Sequence, residues 1–176
     1  MPSGDGDCFL PKDHPWWKPP LIILVCENEP THVAKLLACD KGDPNITDNQ
    51  GRTAMHYAAE QGKTGLISYM ASKGGDVNAR DKHGSTPLHA MCTEHSVHNP
   101  RTVNSLKGLG CLVNSVDNGG NTPLHKAVQF KNFQMVDLLL AVDADVSRLN
   151  LKGQVPLGVA HPDDCAKMEM LFKEHM

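Results

Sequence analysis

The chain has 176 residues, 40% of them hydrophobic and 21% charged, with a net charge of −3 when histidines are neutral. That balance is too apolar for wholesale disorder and suits one compact domain or a short repeat array. No Lys/Arg cluster forms the basic stripe of a nucleic-acid binder, and the longest pure apolar run, Leu21 to Cys26, is far too short to insert across a membrane.

Aromatic residues make up only 5%, so the core must come from Leu, Val, Ala, Met and Ile. Such a core fits thin helical layers better than aromatic-rich strands. The six cysteines (Cys8, Cys26, Cys39, Cys92, Cys111, Cys165) include no C-x-x-C pair, and no secretory signal precedes them. The expectation is reduced thiols in a cytoplasmic or nuclear monomer.

In chain order, residues 1–18 form an N-terminal arm outside any pattern, with Trp16 and Trp17 expected to cover the first apolar face. A degenerate unit follows at 19–52, carrying Leu21-Ile22-Ile23-Leu24, then Val33, Leu36 and Leu37, then Asp43-Pro44-Asn45. From residue 53 the chain repeats itself. Thr86-Pro87-Leu88-His89 recurs as Thr122-Pro123-Leu124-His125, with degenerate copies at Thr53-Ala54-Met55-His56 and Val155-Pro156-Leu157-Gly158. Gly51, Gly84, Gly120 and Gly153 each stand two residues before a copy, and Asp48, Asp81, Asp117 and Asn150 stand three before those glycines. The units are expected at 53–85, 86–121, 122–154 and 155–176.

Each landmark has a mechanical reading. Thr caps a helix, Pro at the first helical position wastes no N–H, and Asp-x-x-Gly makes a turn. A second apolar period follows, as in Leu66, Ile67 and Met70 or Met135, Val136, Leu138, Leu139 and Leu140, and marks a second helix. The unit is turn, short helix, turn, longer helix, and it buries its faces only when stacked.

This period and the T-P-L-H motif resemble the ankyrin repeat, over residues 19–176. The resemblance implies an all-α solenoid of about five helix-turn-helix units joined by β-turn fingers. The 86–121 copy is longer, and the extra residues are expected in a loop at His95–Pro100. The last copy lacks Thr and His and has Pro162 early in its first helix, as a terminal cap would.

In that family, partners dock on the concave surface of fingers and first helices. Carried onto this sequence, the finger positions are Asn49, Gln50, Arg52, Lys82, His83, Ser85, Asn118, Asn121 and Lys152. The first helices supply Tyr57, Glu60, Gln61, Thr93, Glu94, Lys126, Gln129 and Phe130. Arg52, Tyr57 and Phe130 carry most weight, since aromatics and Arg dominate interface energetics. The resemblance also implies hydroxylation at Asn114, with Leu106 eight residues upstream, or at Asn78. The partner is expected to be another protein.

Competing chemistry has little support. His89, Cys92, His95 and His98 include zinc-ligand types, yet a helix turns ligands spaced by three around its axis. His89 is also the residue that the resemblance assigns to bonding backbone between turns. No G-x-S-x-G, phosphate loop or dinucleotide fingerprint is present, and Asp163-Asp164 reads as the acidic start of the last helix. No catalytic residue, cofactor or metal is expected. The run from Gly110 to Ser115, with Gly120-Asn121-Thr122 and Leu124 to Val128, is similar to the ankyrin portion of calcium-independent phospholipases A2. That implies an alternative role, as the regulatory segment of a larger enzyme or channel.

Overall fold

A computed structural model describes residues 19–38, 42–93, 96 and 99–175. The arm with Trp16 and Trp17 therefore lies outside the described residues, as do Glu94, His95 and His98.

The described residues are all-α, stacked as helix pairs: α1 (Pro20–Cys26) with α2 (Pro30–Ala38), α3 (Ala54–Glu60) with α4 (Thr64–Ser72), α5 (Pro87–Ala90) with α6 (Pro100–Gly108), α7 (Pro123–Gln129) with α8 (Phe133–Ala141). A last, unequal pair joins a 3-10 turn at Pro156–Val159 to α9 (Cys165–Glu174). Extended pairing among the described residues is limited to an isolated antiparallel bridge between Thr47 and Thr53. Short helices of this kind are marginal alone, so their stability comes from packing. One continuous core supplies it, running through Ile22, Met55, Ile67, Met70, Leu88, Leu106, Leu124, Met135, Leu139 and Met168. Each such side chain is worth about 1.5–3 kcal/mol when buried.

The Thr/His pair does more than cap. In the three central units the imidazole Nδ1 accepts the backbone N–H of its own Thr at 3.1 Å: His56 from Thr53, His89 from Thr86 and His125 from Thr122. Accepting that bond fixes the proton on Nε2, which donates at 3.0 Å to the finger that leads into the next unit, at Ser85 O, Asn121 O and Gln154 O respectively. Between the two helices of a unit the chain must turn through positive φ. Gly62 does so at φ +67°, with Lys63 N–H bonded to Ala58 O at 2.8 Å. Asn28 and Lys131 adopt the same sign of φ between α1 and α2 and between α7 and α8.

Two expectations need correction. First, α5 ends at Ala90, so Thr93 is not on the first helix of its unit. The connection to α6 thus starts at Met91, well before His95. Ser96 stabilises it from inside, its hydroxyl donating to Met91 O and, at 2.8 Å, to Thr93 O. Second, Pro162 does not sit within the first helix of the last unit. That helix is reduced to the 3-10 turn Pro156–Val159, and Pro162 opens a separate one, Pro162–Asp164, that feeds α9. A proline there has no N–H to extend the first helix, so the chain restarts.

Candidate concave binding site

The finger residues are set by their aspartates. Oδ1 of Asp48 accepts the N–H groups of Gln50 (2.8 Å) and Arg52 (2.9 Å), and Oδ1 of Asp81 those of His83 and Ser85 (both 2.8 Å). Asp117 does the same for Gly119 and Asn121, and Asn150 for Lys152 and Gln154. Each finger is then pinned to the previous one: Lys82 N–H donates to Gln50 O, Asn118 N–H to His83 O and Leu151 N–H to Gly119 O, at 2.9–3.0 Å. Gly84 sits in its finger at φ +74°, and a Cβ there would lie 2.4 Å from Asn118 Oδ1. Its lack of a side chain lets adjacent fingers close up.

Second oxygens tie fingers to first helices. The Tyr57 hydroxyl donates to Asp48 Oδ2 at 2.6 Å, and Lys126 Nζ lies 3.0 Å from Asp117 Oδ2. Arg52 stacks its guanidinium 4.2 Å from the Tyr57 ring centre and bonds Glu60 at 2.6 Å. Burial first, and then the bond to Asp48, push the Tyr57 hydroxyl well above its ordinary pKa, so it stays a donor. Burial works to raise the Asp117 carboxyl, but the Asn121 N–H and Lys126 outweigh it and hold the group below the usual carboxylate range. Arg52, Tyr57 and Glu60 are therefore engaged within the chain while remaining half-exposed.

Gln50, Arg52, Glu60, His83, Ser85, Thr93, Lys126 and Phe130 come together around one groove of about 410 Å³. Asn49, Tyr57, Gln61, Lys82, Asn118, Asn121, Gln129 and Lys152 lie outside it. Lys82, Asn118, Gln129 and Lys152 are exposed, and the other four half-buried. The sequence map omitted three residues that line the groove: Asp81, His89 and Ala90. A signal was present, because Ala90 falls in register with Tyr57 and Lys126 and removes a long side chain from the face.

The histidine–cysteine pattern is absorbed by the fold. Both nitrogens of His89 are bonded, to Thr86 and to Asn121 O, and the Cys92 thiol donates to Leu88 O at 3.2 Å. Burial pushes the Cys92 thiol far up and the Cys111 thiol to about 11, which keeps both protonated. Asn78 and Asn114 brace adjacent loops. Asn78 donates to Gly110 O (3.0 Å) and accepts from Leu112 N–H (2.8 Å), and Asn114 accepts from Asp145 N–H (2.8 Å). No helix among the described residues is long and apolar enough to cross a membrane.

Comparison with known proteins gives a consistent result. Models described as ankyrin repeats match residues 21–106 and 98–140. An L-asparaginase of Dirofilaria immitis is 26% identical over 79% of this chain and 29% of its own length. The nuclear factor NF-kappa-B p105 subunit of Gallus gallus is 26% identical over 98% of this chain and 18% of its own. The NF-kappa-B inhibitor delta of Mus musculus is 39% identical over 32% of this chain and 17% of its own. The chain thus spans less than a third of each relative.

Proposed function

Because the chain belongs to the ankyrin-repeat family, we propose that it binds one partner protein on its concave face, as an adaptor, scaffold or inhibitor, and catalyses nothing itself. The observation that carries this reading is the groove of about 410 Å³, which gathers finger and first-helix side chains from successive units on one face. Its walls are set in advance by the finger hydrogen bonds, so little ordering cost falls on binding. Gln50, Lys82, His83, Asn118, Gln129 and Lys152 are the exposed contacts, and Phe130 is the apolar anchor. The relative described as an NF-kappa-B inhibitor fits an inhibitory role. Cytosol or nucleus is the compartment we assign.

The test places a photo-crosslinking amino acid at Lys82 or Gln129 on the concave face, and at Ser72 or Arg101 on the outer helices. A partner adduct of defined mass should form from the first pair alone. Adducts confined to the outer positions would overturn the assignment. Mass spectrometry of the same samples reads Asn114 and Asn78, the two proposed hydroxylation positions.

A second reading is favoured by coverage, since the chain spans 29% of a relative named as an enzyme. In that reading the array regulates a larger enzyme or channel. Peptides from the endogenous protein that extend past residue 176 would establish it; an endogenous mass equal to that of this chain would remove it.

A further inference from the structure

Three first helices present the same position to the concave face: Tyr57, Ala90 and Lys126, each four residues after its helix-capping Thr. In two of them the side chain reaches the aspartate of its own finger. The Tyr57 hydroxyl donates to Asp48 Oδ2 at 2.6 Å, and Lys126 Nζ pairs with Asp117 Oδ2 at 3.0 Å. The unit between them lacks that reach, because Ala90 ends at its Cβ.

Asp81 is left with unused capacity. Its Oδ1 accepts the His83 and Ser85 N–H groups at 2.8 Å, like every other finger aspartate. Its Oδ2 accepts no hydrogen bond and meets no cation among the described residues, and neither Arg80 nor Lys82 pairs with it. Asp81 and Ala90 both line the groove of about 410 Å³, beside Thr93 and Phe130. The other charged side chains lining it are already matched, Arg52 with Glu60 at 2.6 Å and Lys126 with Asp117 at 3.0 Å. The groove therefore holds one carboxylate whose charge is not offset, at the one place where the chain withholds its own donor.

We propose that this groove receives a lysine or arginine side chain of the partner, its cationic head on Asp81 Oδ2 and its methylene stem across Ala90 toward Phe130. The inference rests on the concave-face reading and gives the partner a chemistry: a segment that presents a basic residue. A cation fits better than a neutral donor, because a charge-assisted hydrogen bond to a carboxylate is about twice as strong as a neutral one. The stem fits as well, since long basic side chains bury their methylenes along apolar surface while the head stays polar.

Two variants isolate the effect. Asp81→Asn keeps the finger, because Asn150 already does the same work in the last finger, accepting Lys152 and Gln154 N–H at 3.0 Å each. Ala90→Lys fills the groove from within, on the pattern of Lys126 with Asp117. The probe is Nα-acetyl-lysine methylamide, titrated into isotopically labelled protein, with the norleucine methylamide as its uncharged counterpart. The amide resonances of Asp81, Ala90 and Thr93 should move with the lysine probe and stay in place with norleucine. Asp81→Asn and Ala90→Lys should each weaken the response by about twofold to fivefold, as expected for a partly screened ion pair. No movement, equal movement with norleucine, or an undiminished response in Asp81→Asn would overturn the proposal. The photo-crosslinks from Lys82 and Gln129 keep the two readings apart. If they persist while the lysine probe fails, the concave face stands and the cationic pocket falls; if they are absent, the concave-face reading itself is lost.

Discussion

Counting each finger with the unit it leads into, the second and third units meet the units after them through three kinds of polar rung, whereas the first unit lacks one of them, the imidazole. Where the second unit meets the third, His56 bonds Ser85 O, Lys82 N–H bonds Gln50 O, and Asn78 clamps Gly110 and Leu112. At the first junction the asparagine rung is present, Asn45 donating to Gly74 O and accepting from Asp76 N–H. The imidazole rung is missing in both halves at once. Pro19 stands where Thr53 stands and has no N–H to give, and Ile22, fully buried, stands where His56 stands. The histidine is one half of a matched pair in the central units, and where the first unit dispenses with it in a buried site, the donor it satisfies is gone as well.

Breaking that match should have the largest effect. His89→Ile strands the buried Thr86 N–H and leaves Asn121 O with the Asp117 N–H as its remaining donor, and should cost about 1–3 kcal/mol in urea unfolding. Adding Thr86→Pro, which copies the Pro19 and Ile22 arrangement, should recover about 1 kcal/mol by removing the stranded donor. A double variant no better than the single one would show that the rungs are independent.

Acid should act on the same rungs. Burial lowers the pKa of His56 and His89, against the opposing pull of their bonds to Ser85 O and Asn121 O. With the folded value below the unfolded one, the unfolded chain binds more protons in between. The stabilisation is complete above the unfolded value of about 6.5 and is lost as pH falls from there through the folded values. The melting temperature should therefore drop between about pH 7 and pH 5, and the drop should shrink in the Thr86→Pro/His89→Ile variant, which no longer carries one of the two titrating groups.

The loop rung comes next in size. Asn78→Ala removes a donor to Gly110 O and an acceptor for Leu112 N–H at a half-exposed site, for about 1–2 kcal/mol in the same unfolding measurement. The smallest effect falls at the last junction, where the half-exposed Lys131 pairs with the partly buried Asp164 at 2.9 Å. Lys131→Ala should cost no more than about 1 kcal/mol, and high salt should erase the difference.

Much of this was legible in the sequence, for a physical reason. The landmarks Thr, Pro, His, Asp and Gly each solve a local backbone problem, and local problems leave fixed spacings. What stayed hidden depended on neighbours. Arg52 and Tyr57 read as free contacts because each is large and exposed by pattern. Only the structure shows the guanidinium on the ring and the hydroxyl on Asp48. The early end of α5 at Ala90 was equally hidden, because its residues match the motif and the break comes from the longer connection behind it. In the last unit Val155 and Gly158 replace Thr and His, so neither cap nor imidazole remains to hold a full helix, and a single 3-10 turn is left.

The central imidazoles also make the array its own gauge. Each carries its proton on Nε2 and lends it to a carbonyl of the finger that leads into the following unit. Those three ring protons are withdrawn from exchange with solvent for as long as the junction they cross stays shut. Each is a separate spectroscopic line tied to one seam, and the order in which the three lines fade under strain would trace how the stack comes apart.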